Sequence, residues 1–185
     1  MKTPVVVLDS PDAIGEHLAE RLLERIGEAR DAGRRFLLGC PTGRTPRPVY
    51  DSIARRVSES RDMSHVTLVM MDEYLQRSGE AFDYAPAEAT WSCHNFARRE
   101  MIDRWNRDLP AAHRVREDSV WFPDPADPAV YDQRIADAGG IDFFLLASGA
   151  SDGHVAFNPP GSPRESRTRI IELPESTRRD NLQTF

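Results

Sequence analysis

The sequence predicts an α/β fold in which a mainly parallel sheet is covered by helices on both faces. Three observations carry that prediction. Residues 5–8, 36–39, 66–71 and 141–146 are continuous apolar runs, which suit strands buried on both sides rather than half-exposed ones. Helical apolar periodicity fills the stretches between them. Polar clusters of unusual composition follow three of the four runs, at the strand ends where ligands bind in open α/β sheets.

Residues 5–8 (Val5, Val6, Val7, Leu8) read as the first buried strand. Ser10 is placed to accept hydrogen bonds from a new helix whose first position is Pro11, where a missing N–H costs nothing. Ile14, Leu18, Leu22 and Ile26 recur every four residues as its inner stripe, and Gly33 is placed to end it. The strand at 36–39 runs into a tight turn from Pro41 to Pro46, followed by a helix with Val49, Tyr50, Ile53 and Val57 inward. A third strand at 66–71 ends at Asp72 and Glu73. A helix closed by Gly139 and Gly140 leads to a fourth strand at 141–146 and then a Gly-rich loop. Residues 75–91 lack a period and read as a long loop, and the Pro-rich stretch 109–127 reads as irregular surface chain.

A chain of 185 residues with 39% hydrophobic content is expected to form one domain over residues 1–185, with a core that needs neither disulfides nor a metal. A formal net charge of -6 argues against a sequence-independent grip on nucleic acid, which requires a positive surface. The two cysteines, Cys40 and Cys93, have no metal-site spacing and suggest a reducing compartment. The apolar run at 5–8 is far too short for a signal-peptide core or a membrane span, so no membrane partner and a cytoplasmic location are expected.

The turn holding Thr42, Gly43, Arg44 and Thr45 places two hydroxyls and a glycine where a strand gives way to a helix. Free N–H groups and the positive end of the helix dipole suit a phosphate there, although the same residues also make an ordinary Thr-capped turn. The spacing is not that of a nucleotide P-loop. At least one of Asp72 and Glu73 must lie at the top edge of the sheet. A partly buried carboxylate there can abstract a proton next to a carbonyl, and a solvated strand end is the structural alternative. Asp152 and His154 flank Gly153, so the carboxylate can fix the imidazole tautomer and support proton transfer. A metal site competes for these residues but lacks a third nitrogen or sulfur ligand nearby, and none is expected.

Residues 38–46, residues 71–74 with Asp72, Glu73 and Tyr74, residues 151–158 with Asp152, Gly153, His154, Phe157 and Asn158, and Ser166, Arg167, Thr168 and Arg169 resemble the glucosamine-6-phosphate deaminase/isomerase family in order and spacing. The resemblance extends over almost the whole chain. It implies a modified Rossmann-like fold, no organic or metal cofactor, and conversion of glucosamine 6-phosphate to fructose 6-phosphate with loss of ammonia. It further implies that Asp72 moves the proton between C2 and C1, that His154 assists ring opening and that Asp152 orients it. Thr42, Gly43 and Thr45 would hold the sugar phosphate; Arg44, which stands where the family has a small residue, is expected to add to phosphate binding, and Glu73 and Gly153 are expected to line the substrate.

The chain departs from the family at Pro159, where a glutamate is usual, and at Gln183, where an arginine is usual. Ser162 and Arg169 match the allosteric pocket of the family's hexamers, but Ile171 replaces a lysine, so allosteric activation of that type is not expected. The family's C-terminal portion is expected to be missing, which would leave a sheet edge uncovered and favour a homo-oligomer. Two other readings stay open: a 6-phosphogluconolactonase-like hydrolase, and a sugar-phosphate sensor without turnover.

Overall fold

The computed structural model describes residues 4–57, 61–148 and 153–181. Its centre is a parallel sheet of four strands, β1 (Phe36–Cys40), β2 (Val66–Met70), β5 (Val120–Trp121) and β6 (Phe143–Phe144), in the order β5-β2-β1-β6. Every residue of β1 and β2 is buried, as expected for central strands covered on both sides. Leu38 is in register with Leu68 on one side and Phe143 on the other.

Alternation along the strands divides the core into two layers. Phe36, Leu38, Val66, Leu68 and Met70 face a layer formed by α1 (Pro11–Asp31), α2 (Arg47–Arg56) and the helical stretch of residues 93–105. Leu37 and Val69 face the other way, toward Trp121 and Tyr131 of α5 (Ala129–Asp137). Helices therefore cover both faces, as the apolar runs predict.

The α1 helix begins where the sequence places it. Ser10 Oγ accepts from Ala13 N at 3.1 Å, and Pro11 occupies the first turn. Its buried face is Gly15, Ala19, Leu22, Leu23, Ile26 and Ala29, whereas Ile14 is 45% exposed. A row with a spacing of exactly four drifts around a helix of 3.6 residues per turn, so Ile14 leaves the seam and Gly15 enters it. A Cβ on Gly15 would lie 2.4 Å from the Pro48 carbonyl oxygen, so glycine is what lets α1 approach α2 so closely.

Four expectations are corrected. Residues 5–8 form no strand, and Val5, Val6 and Val7 are 84%, 60% and 87% exposed. β-Branched composition fits a pleated surface but does not create one, and this run pairs with no strand among the described residues. The stretch 75–91 contains an antiparallel hairpin, β3 (Leu75–Ser78) with β4 (Ala81–Tyr84). Gly79 at φ 64 supplies the left-handed residue that its two-residue loop needs. The stretch 109–127 contains β5, too short to give a periodic signal. Finally, β6 is only two residues long, although Asp142 N and Leu145 N donate to the Leu37 and Gly39 carbonyls at 2.9 and 3.0 Å and prolong its pairing with β1.

A helical stretch not anticipated from sequence runs through α3 (Cys93–Phe96), a π-helical segment (Ala97–Ile102) and α4 (Asp103–Trp105). Ser92 caps it, accepting from His94 N and Asn95 N. Ala97, Met101 and Trp105 are buried at every fourth position. The final helix is α6 (Glu175–Asn181).

Candidate active site

The carboxyl ends of β1, β2 and β6 meet around a hollow of about 140 Å³. Its walls include Thr42, Gly43, Arg44 and Thr45 from the turn after β1, Asp72 and Tyr74 from the end of β2, and His154 from the loop after β6. Groups from three distant parts of the chain therefore face one space. Met71, Asp72, Tyr74, Ala156 and Phe157 also border an adjoining cavity of about 450 Å³.

The turn is fixed from below. Tyr50, buried in α2, donates its hydroxyl to the Pro41 carbonyl at 2.7 Å. Gly43 takes φ 91, a conformation glycine adopts without steric cost. The backbone N–H groups of Thr42, Gly43, Arg44 and Thr45 have no acceptor among the described residues, and Arg44 makes no ion pair among them. Such a turn at the start of α2 offers donors and positive charge to an anion.

Asp72 is half-buried at the end of β2. Burial raises its pKa to about 7, and the nearby Glu73 charge pushes the same way, while a hydrogen bond from Cys93 and the charge of His154 oppose the rise. A carboxyl poised near neutrality can both take and return a proton. Cys93 Sγ lies 3.6 Å from Asp72 Oδ1 and 3.6 Å from Thr42 Oγ1. Burial and the two carboxylates push the Cys93 thiol well above its ordinary range, so the S–H is the donor to Asp72.

Glu73 points elsewhere. Its carboxylate accepts from Tyr74 N, Cys93 N and His94 N at 2.7, 2.9 and 2.8 Å, from Ser92 Oγ at 3.0 Å, and lies 2.5 Å from His94 Nδ1. Burial alone would raise its pKa, but the His94 and backbone hydrogen bonds outweigh it and hold Glu73 below the usual range. Both oxygens are engaged at the start of α3, while Glu73 also borders the adjoining cavity of about 450 Å³.

His154 is brought alongside β6 by a bridge between Ser148 and Val155. Gly153 takes φ 71 and is exposed. It shapes the approach to His154 and does not line the hollow. Asp152 and Gln183 lie outside the described residues. Ala156 has φ 53, uncommon without glycine, at the lip of the hollow. Ser162 and Arg169 lie together, with Arg169 donating to Ser162 Oγ at 3.1 Å. Pro159 offers only its carbonyl, which accepts from Ser162 Oγ at 2.7 Å. Among the described residues no three His, Cys, Asp or Glu side chains gather as a metal site.

Sequence reasoning missed Cys93, Tyr74 and Asn181 as part of this site. Tyr74 packs against Trp91 and Phe157, with ring centroids 5.7 and 4.8 Å away, and its hydroxyl accepts from Asn181 at 2.9 Å. The Ser92 cap and the four-residue spacing of Ala97, Met101 and Trp105 are signals that identify the helix carrying Cys93, but no local pattern says that it returns to Asp72.

A family model described as glucosamine-6-phosphate isomerases/6-phosphogluconolactonase matches residues 9–180. The chain belongs to this family. Among members of the glucosamine-6-phosphate isomerase/6-phosphogluconolactonase family, it is 37% identical over 182 residues to a glucosamine-6-phosphate deaminase of Pseudarthrobacter chlorophenolicus, covering 98% of this chain and 64% of that protein. It is 32% identical over 184 residues to the Caenorhabditis elegans glucosamine-6-phosphate deaminase, again covering 98% and 64%. The chain thus spans just under two thirds of the length of these relatives. A monomeric glucosamine-6-phosphate deaminase superposes with a TM-score of 0.71 at 24% identity, over 95% of this chain and 67% of that one. A 6-phosphogluconolactonase from Leishmania guyanensis gives 0.60 at 18%, over 85% and 64%. The shared α/β architecture agrees with the fold class predicted from sequence.

Proposed function

We propose that this chain acts on a small sugar phosphate as an aldose-ketose isomerase and deaminase, taking glucosamine 6-phosphate, or a closely related hexose phosphate, to fructose 6-phosphate and ammonia. The observation that carries the reading is the half-buried Asp72, whose pKa desolvation raises to about 7, facing the same hollow as the phosphate-suited turn and His154. The names of the 37% and 32% identical relatives support the same substrate class.

In this reading the N–H groups and hydroxyls of the turn, with Arg44, hold the phosphate and so fix the sugar carbons relative to Asp72. His154, oriented by Asp152, moves the proton that opens the pyranose ring. Asp72 as carboxylate removes the C2 proton of the open-chain aldehyde, and the electron pair passes through the C1–C2 bond to the carbonyl oxygen, which takes a proton from the substrate ammonium to give an enolamine. The nitrogen lone pair then drives return of the proton from the acid form of Asp72 to C1, leaving a C2 iminium. Water then adds at C2 and ammonia leaves. The hollow of about 140 Å³ is small for a hexose phosphate, and the adjoining cavity past Tyr74 and Phe157 gives the sugar room.

We read residues 1–185 as one domain acting in the cytoplasm and associating with copies of itself. Among the described residues, no helix is long and apolar enough to cross a membrane.

Incubation of the purified protein with glucosamine 6-phosphate tests the activity by parallel measurement of ammonia and fructose 6-phosphate. The reading expects both in equal amounts, and neither with Asp72→Asn. Hydrolysis of 6-phosphogluconolactone without isomerisation would select the lactonase instead. Binding of glucosamine 6-phosphate with no product would select a sensor, for which the replacement of a titratable side chain by Pro159 is the motive.

A further inference from the structure

At the opposite end of the sheet from Asp72, the residues just before β1, β2 and β5 surround an open bowl of about 610 Å³. Five arginines line it: Arg30, Arg34, Arg35, Arg116 and Arg134. Only two acids, Asp62 and Asp118, share the lining, in a chain whose formal net charge is -6. Positive charge is therefore concentrated on this face against the balance of the molecule.

Three of these arginines have carboxylates of their own. Arg30 pairs with Asp31 at 2.8 Å, Arg34 with Asp142 at 2.6 Å, and Arg116 with Asp118. Arg35 and Arg134 form no ion pair within 4 Å among the described residues, and Arg35 acts on Asp118 only at longer range. Both guanidinium groups instead lie over the ring of Trp121, at 5.7 and 3.9 Å from its centroid. Trp121 is itself buried in the core layer between β2 and α5, so it serves as a fixed platform. The ring holds both cations, and an anion that reaches the two meets donors already oriented. Ser64 and Ser119 add hydroxyls to the lining.

We propose that this bowl is a second ligand site, taking a polyanion of the di- or triphosphate class, with Arg35 and Arg134 as its principal contacts. It is separate from the phosphate-suited turn after β1 and does not depend on the reaction assigned to Asp72. Bound phosphoryl oxygens would bridge the two guanidinium groups, and the pairs at Arg34 and Arg116 would form the rim.

Titration with inorganic pyrophosphate, followed by calorimetry and by the indole N–H signal of Trp121, tests the site. Arg35→Gln with Arg134→Gln keeps much of each side-chain stem on Trp121 while removing the charge. Saturable binding is expected to move the Trp121 signal, to weaken with added salt and to fall by about tenfold or more in the double variant. Arg44→Ala is expected to leave it unchanged. Binding that survives the double variant, binding lost in Arg44→Ala, or no saturable binding at low salt would each overturn the proposal. None of these outcomes bears on whether glucosamine 6-phosphate is turned over.

Discussion

Cys93 Sγ lies 3.6 Å from Asp72 Oδ1, so the carboxyl proposed to carry the substrate proton is held by a buried thiol from a different part of the chain. The S–H bond favours the ionised form of Asp72 and partly offsets the burial that raises its pKa. Cys93→Ala removes the donor, and the acid limb of the kcat/KM profile should move to higher pH. Cys93→Ser restores a hydroxyl donor and should recover part of the shift. An unchanged profile in Cys93→Ala would mean that the thiol does not tune Asp72.

The same carboxyl makes stability depend on pH. Asp72 binds its proton more tightly in the folded chain, at about 7, than at its ordinary value of 3.8. Its contribution is therefore fully present below about 4 and is lost as pH rises through about 7. The cost above that range is on the order of 4 kcal/mol from the size of the shift. Asp72→Asn should therefore raise the denaturation midpoint relative to wild type at pH 8 by clearly more than at pH 5, while abolishing turnover at both.

Glu73 stands next to Asp72, and its oxygens meet three backbone N–H groups, Ser92 and His94. Glu73→Ala leaves these buried donors without an acceptor and should cost about 2–4 kcal/mol in denaturant unfolding. Loss of activity in that variant should track unfolding and recover with stabilising solutes, unlike the loss in Asp72→Asn.

The fold class and the three converging segments were legible in the sequence because continuous apolar runs and polar strand ends are local patterns. Phe36, Leu38, Val66 and Leu68 announce buried strands by themselves. Val5, Val6 and Val7 carry the same signal and remain exposed, because pairing is a property of the neighbour as well as of the run. The two-residue β5 and the Cys93 contact with Asp72 are long-range facts. Nothing within a window around Val120 or Cys93 encodes what they pack against. Glu73 and Asp72 are indistinguishable as adjacent carboxylates until the Ser92 cap comes into view.

Gly15 and Gly27 lie in the same helix and should respond to alanine with opposite signs. A Cβ on Gly15 meets the backbone of Pro48, with its carbonyl oxygen 2.4 Å away, whereas a Cβ on Gly27 meets nothing within 4 Å. Gly15→Ala should destabilise by about 1–3 kcal/mol by forcing α1 from α2. Gly27→Ala should stabilise by about 0.5–1 kcal/mol through helix propensity. Urea unfolding of the two variants measures both.

The most direct test of the proton transfer assigned to Asp72 is the incorporation of solvent deuterium into the sugar carbons, followed by NMR in heavy water with fructose 6-phosphate and ammonium present. Wild type should place deuterium at C1 of fructose 6-phosphate, and Asp72→Asn, still folded, should place none. Deuterium uptake at wild-type rate by Asp72→Asn would contradict the assignment of Asp72 as the base.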